Sequence, residues 1–292
     1  MNYSMPSFSL SRFSLNSRAL ALLHDQNALS EISPLPGFSH ESLNEALEKK
    51  LRSPSYAFAL DSLKWQKSHP IQKGIVHLSG LVLKQNLDET LNLGFKKIKI
   101  KVADYTKDEL LYAISWAQNQ AQIHLDANRS LSFEEALDLV MRLPKKAITY
   151  FEEPVKTFEE LKKFSKISPF PLALDETLRE HSLTKIKTIK NVQYWVLKPT
   201  LMGGFKVLDF YRNQAYLNNV KPLLSSSFES AVGIMTIAHV ALTRNFPCDE
   251  LGLDTSGYLS ENFFQIPRGP RLDLSLFKQH CPLLKKRLSN LL

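Results

Sequence analysis

The chain has 292 residues, two cysteines and a formal net charge of +8 at pH 7. This length allows one large single-core domain or two modest ones. Two cysteines without metal-ligand spacing exclude a disulfide framework and indicate a reducing, cytoplasmic setting. No apolar run approaches the roughly 18 to 20 residues that a membrane span needs, so no membrane partner is expected. The apolar run Ala19–Leu23 is too short for a secretory signal, so no signal peptide is predicted.

The positive charge is dispersed along the chain. Its densest groups lie in different predicted elements, without interleaved aromatic residues: Lys49-Lys50, Lys96-Lys97, Lys145-Lys146, Lys162-Lys163 and Lys285-Lys286-Arg287. A nucleic-acid-binding protein concentrates such residues on one face. We therefore expect a solvated basic surface and no nucleic-acid partner, although such a surface can attract an anionic small molecule.

Residues 1–72 are predicted to form a small α+β capping domain. Ser7–Arg12 and Ala19–Leu23 have the length of short antiparallel strands. Two prolines and a glycine within Glu31–His40 predict a loop. Pro54 stands at a typical first position for the helix that follows it.

Strands and helices alternate from residue 73 to residue 256. The predicted strands are Gly74–Leu78, Lys96–Val102, Gln122–Asp126, Ile148–Glu152, Pro171–Asp175, Val192–Lys198 and Lys221–Ser225. The predicted helices are Leu87–Leu93, Lys107–Asn119, one beginning at Ser132, one beginning at Thr157, Ser182–Lys187, Phe205–Asn218 and Glu229–Thr243. Seven or eight such repeats predict an α/β fold with a (β/α)8-type (modified TIM) barrel rather than an open sheet. The last segment, 257–292, is expected to pack back toward the cap.

Charged residues end five of the predicted strands. In chain order these residues are Lys101, Asp126, Glu152, Asp175 and Lys198. Within Lys97–Val102 lysines alternate with apolar residues, so the lysines share one face of a strand. A row of ammonium groups on a buried strand is costly unless anionic groups lie nearby, and the carboxylates on the following strands supply them.

Three of these strand ends predict a metal site. The carboxyl ends of barrel strands form the active face, and neighbouring strands lie about 4.8 Å apart, so Asp126, Glu152 and Asp175 are expected to converge. Three close carboxylates repel one another unless they are protonated or bridged by a cation. Oxygen-only ligands that leave room for water and substrate suit Mg²⁺. Taken alone, each carboxylate could instead cap a helix or pair with a surface lysine.

The lysines predict proton transfer. A lysine near a divalent cation has a lowered pKa and can act as a neutral base. A carboxylate substrate on Mg²⁺ is acidic at its α-carbon because the metal stabilises the enediolate. Lys99 and Lys101 on one strand and Lys198 on another are expected to flank such a substrate. Lys97 enters its strand earliest and is excluded from the chemistry.

At these residues the chain resembles the enolase superfamily, within its muconate-lactonizing-like branch. The resemblance covers most of the chain, and its best stretches are Glu31–His40, Leu125–Arg129, Phe151–Thr157, Asp175–Leu178, Lys198–Leu201 and Ser225–Ser230. The resemblance implies Mg²⁺ ligation by three carboxylates, namely Asp126, Glu152 and Asp175. It implies that Lys101 removes the α-proton and then assists departure of the hydroxyl, that Lys198 stabilises the enediolate from the opposite face, and that Lys99 supports charge. Ser225 and Ser226 would contact the substrate carboxylates.

The resemblance also implies a reaction. It is the dehydration of 2-succinyl-6-hydroxy-2,4-cyclohexadiene-1-carboxylate to o-succinylbenzoate in menaquinone biosynthesis, with the Ser33–Phe38 loop over the barrel mouth. The chain departs from the family pattern at Ala103, where many relatives have glycine, and at Gly203-Gly204, where Gly-Ser is common. Its cap is also shorter than in most of the superfamily. None of these departures touches a proposed ligand.

Three other functions stay open. An N-acylamino-acid racemase or dipeptide epimerase would use the same metal site with both Lys101 and Lys198 as bases. A metal-free barrel with a Schiff-base lysine leaves three facing carboxylates unexplained. A non-enzymatic basic protein would bind nucleic acid in a salt-dependent manner. Monomer and homo-oligomer are both compatible with the sequence.

Overall fold

The computed structural model describes residues 2–4, 9–10, 13–14, 17–25, 28–71, 73–259 and 261–289. The strands are β1 (Asn2–Ser4), β2 (Ser9–Leu10), β3 (Phe13–Ser14), β4 (Ser17–Ala19), β5 (Ala21–His24), β6 (Leu29–Ile32), β7 (Ile75–His77), β8 (Gly80–Val82), β9 (Lys97–Lys101), β10 (Gln122–Asp126), β11 (Ile148–Glu152), β12 (Leu172–Leu174), β13 (Val192–Leu197), β14 (Lys221–Leu224) and β15 (Arg271–Asp273). The helices are α1 (Leu43–Lys49), α2 (Pro54–Ser68), α3 (Leu87–Asn92), α4 (Lys107–Ala117), α5 (Phe133–Arg142), α6 (Phe158–Phe164), α7 (Glu176–Glu180), α8 (Leu183–Ile186), α9 (Pro199–Met202), α10 (Phe205–Leu217), α11 (Ala231–Thr243) and α12 (Ser275–Ser289).

The chain divides into two compact units. The first unit comprises Met1–Leu78, Leu197–Gln214 and Leu224–Leu292, and the second comprises Ser79–Val196 and Ala215–Leu223. Both units combine segments that are distant in sequence. The domain boundaries expected at residues 72 and 256 stay predictions.

The second unit is built on strands that follow one another along the chain. They belong to a seven-stranded sheet in the order β14-β13-β12-β11-β10-β9-β8, so each strand lies beside its predecessor. The pairing is parallel from β8 through β13, with helices between the strands. This is an α/β, TIM-like architecture, which confirms the predicted fold class at that level.

Local sequence signals place several of these elements correctly. In β9 the side chains of Ile98 and Ile100 are fully buried, while the alternating lysines are half-buried. Helix α5 begins with the predicted capping box, in which Ser132 Oγ accepts the backbone N–H of Glu135 and the Glu135 carboxylate accepts that of Ser132. Such signals depend on residues within one turn or one strand, so they can be read without tertiary contacts.

The predicted first barrel strand is wrong. Residues Ile75–His77 form a strand, but it pairs antiparallel with Arg271–Asp273 in a separate two-stranded sheet. The first strand of the parallel sheet is Gly80–Val82, which is too short to show a period. A Cβ on Gly80 would lie 2.6 Å from Thr90 Cγ2 and 2.8 Å from a ring atom of Phe95. This residue is therefore a glycine because α3 and the following turn approach it closely.

Two other short elements escaped prediction. Helices α7 and α9 follow directly after Asp175 and Lys198 and contain five and four residues. One helical turn carries too few residues for an amphipathic period to be visible. Both helices begin at strand ends that carry predicted site residues.

Two isolated parallel bridges lie outside the named strands. Within the first unit Leu251 bridges Leu78 and Gly252 bridges Ser225, both in the parallel sense. A Cβ on Gly252 would lie 2.5 Å from Ser225 Oγ, which accounts for the glycine at this contact. Of the seven or eight repeats that the sequence predicts, the sheet of the described residues contains seven strands, and an eighth stays a prediction.

The first unit also contains the N-terminal α+β elements. Strands β1 and β4, β2 and β3, and β5 and β6 form three antiparallel pairs. Of the predicted strand over Ser7–Arg12, the structure describes only Ser9 and Leu10, which form β2. Ile32, Ala46 and Ala59 form a buried cluster that joins β6, α1 and α2. That these elements act as a cap stays a prediction.

The C-terminal segment shares a core with the N-terminal part of the first unit. Leu259 packs in one buried cluster with Leu35 and Leu201, and β15 pairs with β7. Among the helices that the structure describes, none has both the length and the apolar composition to span a bilayer.

Candidate active site

Strand β9 brings two lysines to the edge of a carboxylate cluster. Lys99 is in register with His124, and Lys101 is in register with Asp126 on the neighbouring strand β10. Ile98 and Ile100 face the opposite side and are fully buried. If the strand turned its lysines away from the cluster, these two isoleucines would lose their buried positions. The alternation seen in the sequence therefore directs both ammonium groups toward β10.

The three predicted metal ligands all lie at strand ends in the second unit. Asp126 is paired in register with Glu152 on β11, and Asp175 follows the last residue of β12. Their side chains are buried, with at most 2% of Asp126 exposed and none of Glu152 or Asp175. Buried carboxylates are costly unless they are paired, so each needs a partner of opposite charge or a set of donors.

The lysines supply that charge. Lys99 Nζ lies 2.5 Å from Glu152 Oε2 and 3.9 Å from Asp126 Oδ2. Lys101 Nζ lies 2.6 Å from the same Asp126 oxygen and 2.7 Å from Asn128 Oδ1. Asp126 is therefore shared by two ammonium groups, and Lys99, Lys101, Asp126 and Glu152 form one ionic network.

All three carboxylates act on the ammonium of Lys99. Burial by itself lowers the pKa of Lys99, but the charges of Glu152 and Asp126, the hydrogen bond to Glu152 and the charge of Asp175 outweigh it and raise the pKa above its ordinary value. One cationic position thus lies within the field of three buried carboxylates. A hard oxygen donor set around a single positive charge is chemically suited to Mg²⁺.

The carboxylates form ion pairs with basic side chains and are not arranged as a preformed set of metal ligands. Across the stretches that the structure describes, no three His, Cys, Asp or Glu side chains stand close enough together to hold a metal ion. The ammonium groups of Lys99 and Lys101 take up oxygens of Glu152 and Asp126. The assignment of the three carboxylates to a metal stays a prediction that the donor chemistry favours.

The structure separates the two adjacent glutamates after β11. Glu152 faces the lysines, whereas Glu153 has φ +40° and turns its carboxylate away. Glu153 Oε1 accepts the backbone N–H groups of Asp175 at 2.9 Å and Thr177 at 2.7 Å. Since these donors already engage Glu153, Glu152 is the member of the pair that is available to the site.

A charged residue of the following helix lies near Asp175. Arg179, four residues later on α7, has its Nε 3.4 Å from Asp175 Oδ1. The helix that sequence analysis missed therefore carries a positive group back toward a predicted ligand. An Asp followed by Arg at i+4 was the available signal.

Asn128 and His124 were not predicted to belong to the site. The Asn128 amide accepts from Lys101, its backbone N–H donates to Asp126 Oδ1 at 3.1 Å, and its φ is +43°, a conformation that asparagine tolerates better than most residues. The His124 ring is buried and stacks on Tyr150 at 4.2 Å. Burial, followed by the charges of Lys99 and Lys97, lowers the pKa of His124 well below its usual value, so this ring is neutral.

Three predicted site residues belong to the first unit. Lys198 follows β13, is half-buried, and its carbonyl accepts the N–H groups of Leu201 and Met202, so it opens α9. Ser225 Oγ donates to the carbonyl of Gly252 at 3.2 Å. Ser226 Oγ lies 2.7 Å from Thr255 Oγ1. The expected roles of these residues toward a substrate stay predictions.

Comparisons with known proteins agree on one family. The family model described as "Enolase C-terminal domain-like" matches residues 82–269. An o-succinylbenzoate synthase of Haemophilus influenzae is 28% identical over 288 residues, which cover 88% of this chain and 86% of that protein.

Solved structures share the fold. An o-succinylbenzoate synthase from Thermosynechococcus elongatus BP-1, described as complexed with Mg in its active site, matches with a TM-score of 0.74 and 19% identity, covering 98% of each chain. The L-Ala-D/L-Glu epimerase from Bacillus subtilis matches with a TM-score of 0.76 and 16% identity, covering 93% of each chain. Because the family model alone spans more than half of the sequence, this chain belongs to the enolase C-terminal domain-like family.

Proposed function

We propose that this chain is a lyase that dehydrates 2-succinyl-6-hydroxy-2,4-cyclohexadiene-1-carboxylate to o-succinylbenzoate in menaquinone biosynthesis. Curated relatives of that activity align over most of their length at 28% identity. The observation that carries the proposal is the ionic network at the strand ends, where Lys101 and Lys99 pair with Asp126 and Glu152. A cytoplasmic location, a small-molecule carboxylate substrate and no nucleic-acid partner are part of the proposal.

Mg²⁺ is the proposed cofactor. Asp126, Glu152 and Asp175 would hold it, since all three are buried and their charges converge on one cationic position. When bound, the ion supplies positive charge beside the substrate carboxylate and so makes the neighbouring C–H bond more acidic. The relative of known structure with Mg in its active site supports this choice of ion.

Lys101 is the proposed acid and base. Its amine takes the proton from the α-carbon, and the electron pair of the C–H bond moves into the carboxylate to give an enediolate. The same residue then returns the proton to the departing hydroxyl, so that the C–O bond breaks, water leaves and the ring becomes aromatic. Asn128 and Asp126 hold Lys101 Nζ at 2.7 and 2.6 Å, which orients it before the substrate binds.

The other predicted residues are assigned to charge and binding. Lys198 would stabilise the negative charge of the enediolate, and Lys99 would support charge beside Glu152. Ser225 and Ser226 would donate to the substrate carboxylates. The assignments of Lys198 and the two serines are supported by their places directly after β13 and β14 and by the family motifs that contain them.

A racemase or epimerase acting on N-acylated amino acids or dipeptides is the second candidate. The structural likeness to an L-Ala-D/L-Glu epimerase shows that the same fold carries such chemistry in another protein. This candidate needs two bases, and Lys101 and Lys198 would serve as those bases. It predicts exchange of the α-proton without loss of water.

An ultraviolet assay of the full chain distinguishes the two. The cyclohexadiene substrate is mixed with the purified protein and Mg²⁺, and then with EDTA in place of Mg²⁺. Metal-dependent loss of the diene absorbance supports the dehydration. An unchanged spectrum, together with deuterium exchange into an N-succinyl amino acid or a dipeptide, would overturn the dehydration in favour of the epimerase.

A further inference from the structure

The second glutamate of the Glu152-Glu153 pair lies at the centre of a buried network that the proposed chemistry does not use. Glu153 is fully buried and accepts four hydrogen bonds. Oε1 accepts the N–H groups of Asp175 and Thr177, at 2.9 and 2.7 Å. Oε2 accepts Thr177 Oγ1 at 2.7 Å and Arg129 Nε at 3.0 Å. Its two oxygens therefore bind the start of α7 on one side and the turn after β10 on the other.

Arg129 closes this network from the turn after β10. Its backbone N–H donates to the Glu153 carbonyl at 2.8 Å, and its Nη2 donates to Thr177 Oγ1 at 2.9 Å. Its Nη1 lies 2.6 Å from Glu180, whose side chain is 46% exposed. Arg129 thus has one buried acidic partner and one acidic partner at the surface.

The backbone at these strand ends is held in an unusual conformation. Asn128, Arg129 and Glu153 all have positive φ, at +43°, +60° and +40°. Such a conformation costs energy for residues other than glycine and persists only where surrounding contacts hold it. The Glu153 network contacts Arg129 after β10, includes Glu153 itself after β11, and reaches the backbone N–H of Asp175 after β12.

We infer that Glu153 is a positioning residue, which fixes the backbone of Asp175 relative to Asp126 and Glu152 so that the three carboxylates can bind one divalent cation. The inference rests on the proposed Mg²⁺-dependent function. Glu153 makes no contact with Lys99 or Lys101 among the hydrogen bonds and ion pairs of the described residues. Glu153 acts through the backbone amide of Asp175, because the N–H of that amide donates to Glu153 Oε1.

The variant Glu153→Gln tests this at constant side-chain volume. A carboxamide has one acceptor and one donor end, but Glu153 is surrounded by donors on both sides. Its NH₂ group must face either Arg129 or the backbone N–H groups of Asp175 and Thr177, so one set of hydrogen bonds is lost. Glu180→Gln is the matched control, because it makes the same chemical change to the exposed partner of the same arginine.

Mg²⁺ alone, without substrate, is the probe. Calorimetric titration of the full chain is expected to give a Kd for Glu153→Gln about tenfold or more above that of the unmodified chain, since outer contacts of metal ligands typically change affinity by about 10- to 100-fold. Glu180→Gln should stay within about twofold. Thermal unfolding measured in parallel identifies variants that are folded at the titration temperature. A purely structural role would lower Tm without moving the Kd of the folded fraction.

The outcomes separate this inference from the proposed function. A folded Glu153→Gln with an unchanged Mg²⁺ Kd overturns the positioning role even if the unmodified chain dehydrates its substrate. A raised Kd supports it even if the diene assay fails and the activity is a different one. If Glu153→Gln does not fold, Thr177→Val replaces it, because that variant removes only the hydroxyl between Glu153 and Arg129. It should raise the Kd by a smaller factor, and an unchanged value would overturn the inference.

Discussion

Lys101 and Asp126 lie opposite each other on neighbouring parallel strands, with Nζ 2.6 Å from Oδ2. The Lys101 side chain is 14% exposed and that of Asp126 only 2%, so removing either one leaves the charge of the other poorly compensated. The pair joins the proposed base to a proposed ligand.

Replacement of the proposed base should abolish turnover. Lys101→Ala is expected to lower the dehydration rate by at least about 10²- to 10⁴-fold, the usual contribution of a general acid or base. Lys97→Ala is the matched control, because Lys97 lies on the same strand at the opposite end, in register with Gln122. The diene assay measures both, with circular dichroism to check folding. Substantial activity in Lys101→Ala would remove its assigned role.

Replacement of a proposed ligand should change the metal requirement. In Asp175→Asn one oxygen becomes an amide nitrogen and the negative charge is lost, so the Mg²⁺ concentration for half-maximal activity should rise by about tenfold or more. Asp138→Asn makes the same change on α5, where Asp138 pairs with Lys107 and Arg142 at the exposed surface. An identical metal requirement in both variants would exclude Asp175 from the ligand set.

The buried His239 on α11 should make stability depend on pH. Burial lowers the pKa of His239 to about 4; a backbone hydrogen bond with His69 partly opposes this and the charge of His69 adds to it. Between about pH 6.5, the ordinary pKa of histidine, and about pH 4, the unfolded chain binds a proton that the folded chain does not. The free energy of unfolding should therefore fall as pH decreases through this window, by about 3 kcal/mol from this group, and level off below it.

Denaturant unfolding across that window measures the effect. His239→Asn should show a shallower dependence on pH between about 6.5 and 4 than the unmodified chain. Equal slopes in the two proteins would mean that His239 does not carry this part of the pH dependence.

The close approach at Gly80 should make even one added methyl group destabilising. In Gly80→Ala the Cβ would lie 2.6 Å from Thr90 Cγ2 and against the Phe95 ring, so overpacking should lower the free energy of unfolding by about 1 to 3 kcal/mol. Gly257→Ala is the control, because a Cβ there meets nothing within 4 Å. Thermal unfolding compares the two, and equal stabilities would contradict the tight packing of β8 against α3.

Much of this protein could be predicted because its signals are local. The alternation in Lys97–Lys101 assigns a buried and a charged face to one strand, and the capping box at Ser132 marks the start of a helix. The order of charged strand ends then places Asp126 beside Lys101 once parallel pairing is assumed, and the register bears this out. Each of these inferences needs only a period or a single turn.

The tertiary structure decided what depends on residues far apart in the chain. Ile75–His77 reads as a barrel strand, but its partner is Arg271–Asp273, almost 200 residues later. Leu251 and Gly252 form isolated bridges to Leu78 and Ser225, which no sequence period indicates. Pairing of this kind is set by packing and loop closure, which leave no period in a segment of two or three residues.

The same division holds within the site. The sequence by itself determined that carboxylates and lysines end successive strands, because strand period and element order fix the side and end of each residue. It assigned Glu152 to the site as the last residue of a predicted strand and indicated no role for Glu153. The contacts of Glu153 follow from a backbone turn at φ +40° and from donors on Arg129, Asp175 and Thr177, which only folding brings to one carboxylate.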